Sequence, residues 1–151
     1  MTVLGIYLQA EDVLLGLNVS NKRQLFQAIG LHTERIGGLP ADAVASALMR
    51  RELAGSTALG RGVAIPHARV NILKRIRALY VRLVPGLEFD APDIGQVSDA
   101  LVLLVPSPAT EAHLELLAHA AALFSDSGFR AALQARHNPV EIKALFDEWT
   151  S

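Results

Sequence analysis

"ALVLLVP" (residues 100–106) decides how this chain folds. It is an unbroken apolar run ended by a proline, with no polar alternation. A strand of that kind is covered on both faces, so it belongs inside a sheet with helices packed on either side. The flanking sequence agrees. Downstream, residues 110–125 form a long Ala- and Leu-rich helical pattern with Thr110 as its cap, and shorter helical patterns follow near 126–136 and 139–149. Upstream, "RALYVRLV" (77–84) is rich in branched and aromatic residues, and "GVAIPH" (62–67) is short and apolar; both read as strands. Between the later two strands, "GLEFDAPDIGQ" (86–96) reads as a short extended piece and a turn. Residues 20–37 form a helix capped by Ser20 or Asn21, with Leu25, Phe26, Ile29 and Ile36 as its apolar face and Gly37-Gly38 as its stop. Residues 40–53 form a second helix with Pro40 at its start, and Gly55-Ser56-Thr57 follows as a loop. Helices thus lie before, between and after the strands. The expected class is α/β, a small mixed β-sheet flanked by α-helices.

The length of 151 residues predicts one domain, residues 1–151. No apolar run reaches about 18 residues, so no membrane insertion is expected. The first residues lack a basic region and a small-residue cleavage site, so no signal peptide is expected either. The chain has no cysteine, which removes disulfides, zinc–thiolate sites and cysteine catalysis together and fits a cytoplasmic protein. The net charge is −1, with acids and bases mixed. "RRELAGSTALGRG" (50–62) and "ARVNILKRIR" (68–77) are locally basic; Arg69, Lys74, Arg75 and Arg77 of the latter read as a solvated loop or strand edge. Without a strongly basic domain or interleaved aromatics, no nucleic acid partner is expected.

Five histidines are the candidates for chemistry. His32, near the end of the first helix, and His137, before Asn138-Pro139, read as surface or capping residues. His119 shares a polar stripe with Glu115 and Asp126, consistent with a solvated contact to Glu115. His113 instead lines up with Leu117, Ala120 and Phe124, so it extends the apolar stripe of its helix at the sheet edge. His67 ends the apolar strand, and on parity it shares a side with Val63 and Ile65. Pro66 restricts the chain just before it. At the end of the second helix, Arg51 follows Val44 and Leu48 on one stripe, whereas Arg50 faces solvent. A partly buried guanidinium needs an anion or a carbonyl, and an ion pair with the adjacent Glu52 is the plain structural reading.

The motifs for other chemistries are missing. No HxH or HExxH supplies metal ligands, no GxSxG supplies a serine elbow, and no P-loop or GxGxxG supplies a nucleotide site, so no metal and no cofactor are expected. Core packing remains one reading of His67. The other is a nucleophile toward a phosphoryl group, because neutral imidazole, with an ordinary pKa of about 6.5, is nucleophilic near pH 7. Such a site needs cationic or hydrogen-bonding groups around the transferring oxygens. His67, His113, Arg51, Ser56 and Thr57 supply those residue types, provided that they converge in space.

At these residues the chain resembles the enzyme IIA component of the bacterial phosphoenolpyruvate-dependent phosphotransferase system, of the fructose/mannitol/nitrogen-regulatory type. "RELAGSTALGRGVAIPHARV" (51–70) resembles that family's active-site block almost residue for residue. "GLEFDAPD" (86–93) resembles its next block, and "LVLLVPSPATEAHLELLAHAAALF" (101–124) its strand–helix unit with the second histidine. The resemblance implies a mixed sheet flanked by helices. It implies that His67 accepts the phosphoryl group, that His113 is the supporting histidine, and that Arg51 with the Ser56-Thr57 loop shapes the phosphoryl pocket. The implied donor is an HPr- or NPr-type phosphocarrier protein. Two positions depart from the pattern: Ile94-Gly95-Gln96-Val97, a turn variant at the carrier-docking rim, and Ala68-Arg69 after His67, where a glycine is common.

A free-standing chain ending at residue 151 favours the nitrogen-regulatory subtype, which signals through phosphorylation-dependent contacts with regulatory target proteins. The alternatives are a sugar-specific enzyme IIA that passes phosphate to a IIB domain, and a non-phosphorylated binding module on the same fold.

Overall fold

A computed structural model describes residues 3–89, 95–108 and 110–150. The elements run α1 (Val3–Tyr7), β1 (Leu8–Leu17), α2 (Lys22–Arg35), α3 (Ala41–Leu53), β2 (Ala58–Gly60), β3 (Val63–Ala64), β4 (His67–Arg69), β5 (Arg77–Glu88), β6 (Gln96–Val105), α4 (Glu111–Ser125), α5 (Ser127–Gln134) and α6 (Pro139–Glu148). They build one mixed sheet in the order β1-β5-β6-β3-β2, with β4 also pairing β6. β6 runs antiparallel to β5 and parallel to β3 and β4, while β1 runs parallel to β5. Among the described residues no helix is long and apolar enough to cross a membrane.

The apolar run 100–106 is buried for the reason its composition gave. Successive side chains of a strand alternate between the faces of a sheet. Ala100, Val102 and Leu104 enter a core with Leu25, Phe26 and Ile29 of α2 and Val44 and Leu48 of α3. Leu101 and Leu103 enter a second core with Phe124 of α4, Phe129 of α5 and Phe146 of α6. Every one of these β6 side chains is fully enclosed, so no polar alternation is tolerated there.

The predicted helices are all present. Asn21 caps α2, its side chain accepting from the Gln24 N–H at 2.9 Å. Strand 77–84 extends to Glu88, and strand 100–106 begins earlier, at Gln96. The single strand expected at 62–67 is two, β3 and β4, separated by Ile65-Pro66. The proline has no N–H to give, but its carbonyl accepts from the Leu103 N–H at 2.9 Å, so both pieces stay in line along β6. Arg61 and Gly62, both at positive φ, close the tight hairpin between β2 and β3. Residues 90–94, which include most of the expected turn and Ile94 of the turn variant, lie outside the described residues; Gln96 and Val97 open β6.

β1 had no counterpart in the sequence reading, and it corrects two residues. Asp12 of β1 is buried, and a buried carboxylate needs donors. Arg77 supplies two, Nε to Oδ2 at 2.9 Å and Nη2 to Oδ1 at 2.7 Å. His32 Nε2 lies 2.9 Å from Oδ1. His32 is therefore neither a surface nor a capping side chain, and Arg77 is not solvated as the rest of its basic stretch is. Together they tie the edge strand β1 to β5 and α2.

Candidate active site

His67 opens β4, which pairs with β6 on one side; among the described residues no strand covers its other side. The hairpin strand β2 stops short of it, pairing only with β3. The uncovered edge is flanked by the C-terminal end of α3 and the first turn of α4, and a cavity of about 370 Å³ opens there. Its polar lining is Arg50, Arg51, His67, Arg69 and His113. Ala47, Ala68, Leu103, Val105, Leu114 and Leu117 form its apolar wall. The structure thus brings Arg51, His67 and His113 around one space, although they are distant in sequence.

Each is aimed by its element. Val44 and Leu48 anchor α3 in the core, and Arg51 continues their stripe past the core boundary. Its Nε donates to His67 Nε2 at 3.2 Å and its Nη1 to the Gly55 carbonyl at 2.7 Å. The ion pair expected with Glu52 is not formed: neighbouring residues on a helix point apart, and Glu52 turns inward. Ala120 and Phe124 bury the α4 stripe that His113 begins. His113 Nδ1 accepts from the Thr110 N–H at 3.2 Å, which leaves the proton of its neutral ring on Nε2.

His67 Nδ1 lies 2.8 Å from the Ile65 carbonyl, an acceptor, so Nδ1 carries the proton and donates it. Nε2 then keeps its lone pair toward Arg51. Burial pulls the pKa of His67 below its ordinary 6.5 and the Arg51 charge adds to that, against the opposing pull of the Ile65 carbonyl and Glu52. As pH falls, an unfolded chain takes up the proton on this ring, half of it by 6.5, while the folded protein takes it up only at lower pH. Folding stability is therefore expected to fall as pH drops below about 6.5, by a linkage that His67→Ala removes. Denaturant titrations of the two proteins between neutral pH and the acid side of that value check it.

Ser56 and Thr57 do not line the cavity. Ser56 Oγ donates to the Phe89 carbonyl at 3.2 Å and accepts from the Ala58 N–H at 3.2 Å. Thr57 is buried, its Oγ1 donating to Glu52 Oε1 at 2.6 Å. His119 and His137 are exposed and outside the cavity, and Arg50 is exposed at its rim. Two contributors were missed. Glu52 had no signal beyond its place beside Arg51, and Leu114, exposed in the first turn of α4, had its position next to His113. Among the described residues no group of three or more His, Asp or Glu side chains is set to hold a metal ion.

The arrangement offers an uncharged imidazole with a directed lone pair, a guanidinium beside it and a second imidazole N–H, all beside an apolar wall. Those are the parts that transfer of an anionic group to nitrogen requires.

The family model described as "Phosphoenolpyruvate-dependent sugar phosphotransferase system, EIIA 2" matches residues 6–149. A nitrogen regulatory protein of Bradyrhizobium diazoefficiens is 35% identical over 135 residues, 89% of this chain and 88% of that relative. One from Pseudomonas aeruginosa is 37% identical over 116 residues, 77% of this chain and 75% of its own length. The crystal structure of the nitrogen regulatory protein IIA-Ntr from Neisseria meningitidis superposes with a TM-score of 0.87 at 37% identity, covering 96% of this chain and 99% of that one.

Proposed function

Because the chain belongs to the EIIA 2 family of the phosphoenolpyruvate-dependent sugar phosphotransferase system, we propose that it is a phosphohistidine carrier whose acceptor atom is Nε2 of His67. One observation carries the reading. The Ile65 carbonyl holds the ring proton on Nδ1, so Nε2 presents its electron pair at the cavity, where it accepts from Arg51 Nε at 3.2 Å. The donor is an HPr- or NPr-type carrier protein phosphorylated on a histidine. The Nε2 lone pair attacks phosphorus; an N–P bond forms while the donor's N–P bond breaks, and its electron pair returns to the donor nitrogen. Arg51 and the Nε2–H of His113 stabilise the equatorial oxygens as charge shifts between the two nitrogens. The leaving group is already activated, so the step runs without a metal ion. Ser56 and Thr57 contribute by holding the loop after α3, not by touching the phosphoryl group.

In this reading residues 1–151 act as one unit in the cytoplasm. The names of the relatives favour a regulatory role, in which phosphorylation of His67 changes which target protein is bound. The family's description as a sugar phosphotransferase system supports a second reading, an enzyme IIA that passes phosphate to a IIB domain. Incubation with phosphoenolpyruvate, enzyme I and the carrier is expected to give an acid-labile adduct of one phosphoryl mass; no adduct on the wild-type protein refutes the carrier reading. Onward transfer of label to a IIB domain, coupled to sugar uptake, replaces the regulatory reading with the second one.

His113→Ala is expected to accept label but to do so roughly 100- to 1,000-fold more slowly, because one donor to the transferring oxygens is lost while the nucleophile stays. Rapid-quench labelling and the decay of the purified adduct measure both halves. Wild-type behaviour in acceptance and in onward transfer removes His113 from the mechanism.

A further inference from the structure

Glu52 is enclosed, 4% exposed, and collects donors from two directions. The Thr57 N–H lies 3.2 Å from each of its oxygens, the Thr57 hydroxyl donates at 2.6 Å, and Lys22 Nζ lies 3.2 Å from Oε2. From Thr57 the bonding continues toward the site. The Thr57 carbonyl accepts the Ile65 N–H at 3.0 Å, and the Ile65 carbonyl accepts His67 Nδ1–H at 2.8 Å. The same turn reaches the guanidinium: the Glu52 carbonyl accepts the Gly55 N–H at 3.1 Å, and the Gly55 carbonyl accepts Arg51 Nη1–H at 2.7 Å.

We propose that Glu52 is a positioning residue which, through Thr57 and Ile65, fixes the proton of His67 on Nδ1 and so keeps the Nε2 lone pair in the cavity. Its importance for phosphoryl transfer rests on the reading of His67 as acceptor; its control of the ring does not. A neutral imidazole has two tautomers, and partner atoms select between them. In the other tautomer Nε2–H would face Arg51 Nε–H, donor against donor, with no lone pair at the cavity. The Ile65 carbonyl and Arg51 Nε together disfavour that state, and the Ile65 peptide is tied to the Thr57 loop. A carboxylate suits the tie because it has lone pairs for every donor aimed at it, whereas an amide has an NH₂ that would oppose Lys22. The charged and titratable groups facing the ring are Arg50 and Arg51 from α3, Arg69 from β4 and His113 from α4. Glu52 is the carboxylate whose charge acts on it, against Arg51.

The test is long-range ¹H–¹⁵N correlation of the histidine rings in the full, unphosphorylated chain near neutral pH, alongside carrier-dependent labelling. Wild-type His67 is expected to show the Nδ1–H pattern. Glu52→Gln is expected to show mixed tautomers at His67 and labelling slower by roughly 10- to 100-fold, the usual cost of a misplaced reacting group. Thr57→Val, which removes the hydroxyl at nearly constant volume, shifts the ring in the same direction, and Thr57→Ser restores the wild-type pattern. An unchanged Nδ1–H pattern in both Glu52→Gln and Thr57→Val overturns the proposal; if Glu52→Gln does not fold, Thr57→Val decides alone. A shifted pattern in a protein whose wild type takes no label upholds the role of Glu52 and rejects the phosphoryl reading instead.

Discussion

His67→Ala takes up no label from the phosphorylated carrier, a loss of at least about three orders of magnitude, while the protein remains folded. Removing a nucleophile outright costs that much because the remaining groups only stabilise a transfer they cannot accept. No other described side chain in the cavity replaces it. The lone pair of His113 is turned to the Thr110 N–H at the cap of its own helix, and the guanidinium groups of Arg50, Arg51 and Arg69 are donors with no lone pair to offer. The fold survives because His67 is only half-buried at an edge, and the main-chain pairing of β4 with β6 does not need the ring. Removing a ring that resists protonation also relieves a cost at acid pH, so the variant is less acid-sensitive than the wild type. Filter-bound label after brief incubation with phosphoenolpyruvate, enzyme I and the carrier measures the first effect, and thermal melting the second. Acid-labile label persisting in His67→Ala moves the acceptor elsewhere.

What the sequence made legible was whatever repeats along a local period. The unbroken run 100–106 announced a strand covered on both faces, and the stripe from His113 to Phe124 announced both a helix and the side of it that turns to the core. The stripe ending at Arg51 did the same for α3. Those periods place His113 and Arg51 at element ends, which is why the cavity's principal side chains were visible in advance. β1 was not, because "LQAEDVLLGL" breaks alternation with a buried Asp12, and the pairing shifts register between Leu8 and Val13. A buried carboxylate looks like a surface residue until its donors are known, and those of Asp12 stand on α2 and β5. Glu52 hid for the same reason. Its neighbour Arg51 was the obvious partner in sequence, but successive helix positions point apart and its donors come from Lys22 and Thr57. Thr57, expected at the pocket, is directed away from it by that bond.

Phe146→Ala is expected to cost about 3–5 kcal/mol, the range for removing a large aromatic side chain from a packed core. Phe146 has no exposed surface and sits amid rings: Phe129 at 5.2 Å edge to face, Tyr80 at 6.1 Å and Phe124 at 6.2 Å. The truncation leaves a void that these neighbours cannot close. Tyr80 is held by its hydroxyl on Asp99, Phe129 is stacked edge to face on Phe124 and Trp149, and Phe124 belongs to the helix that carries His113. For a chain of this length the loss lowers the melting midpoint by roughly 10 °C or more, out of a total stability of about 5–15 kcal/mol. The damage falls on the core shared by α4, α5 and α6, not on the one beneath α2 and α3. Arg51 on α3 therefore keeps its anchorage, and labelling well below the melting midpoint should stay close to wild type, with any loss expressed through His113 and through Ile65, whose side chain lies in the damaged core. Calorimetry paired with labelling at low temperature separates the two effects. A midpoint unchanged within a few degrees would mean that Phe146 is not part of the packed core, and the placement of α6 against the sheet would have to be abandoned.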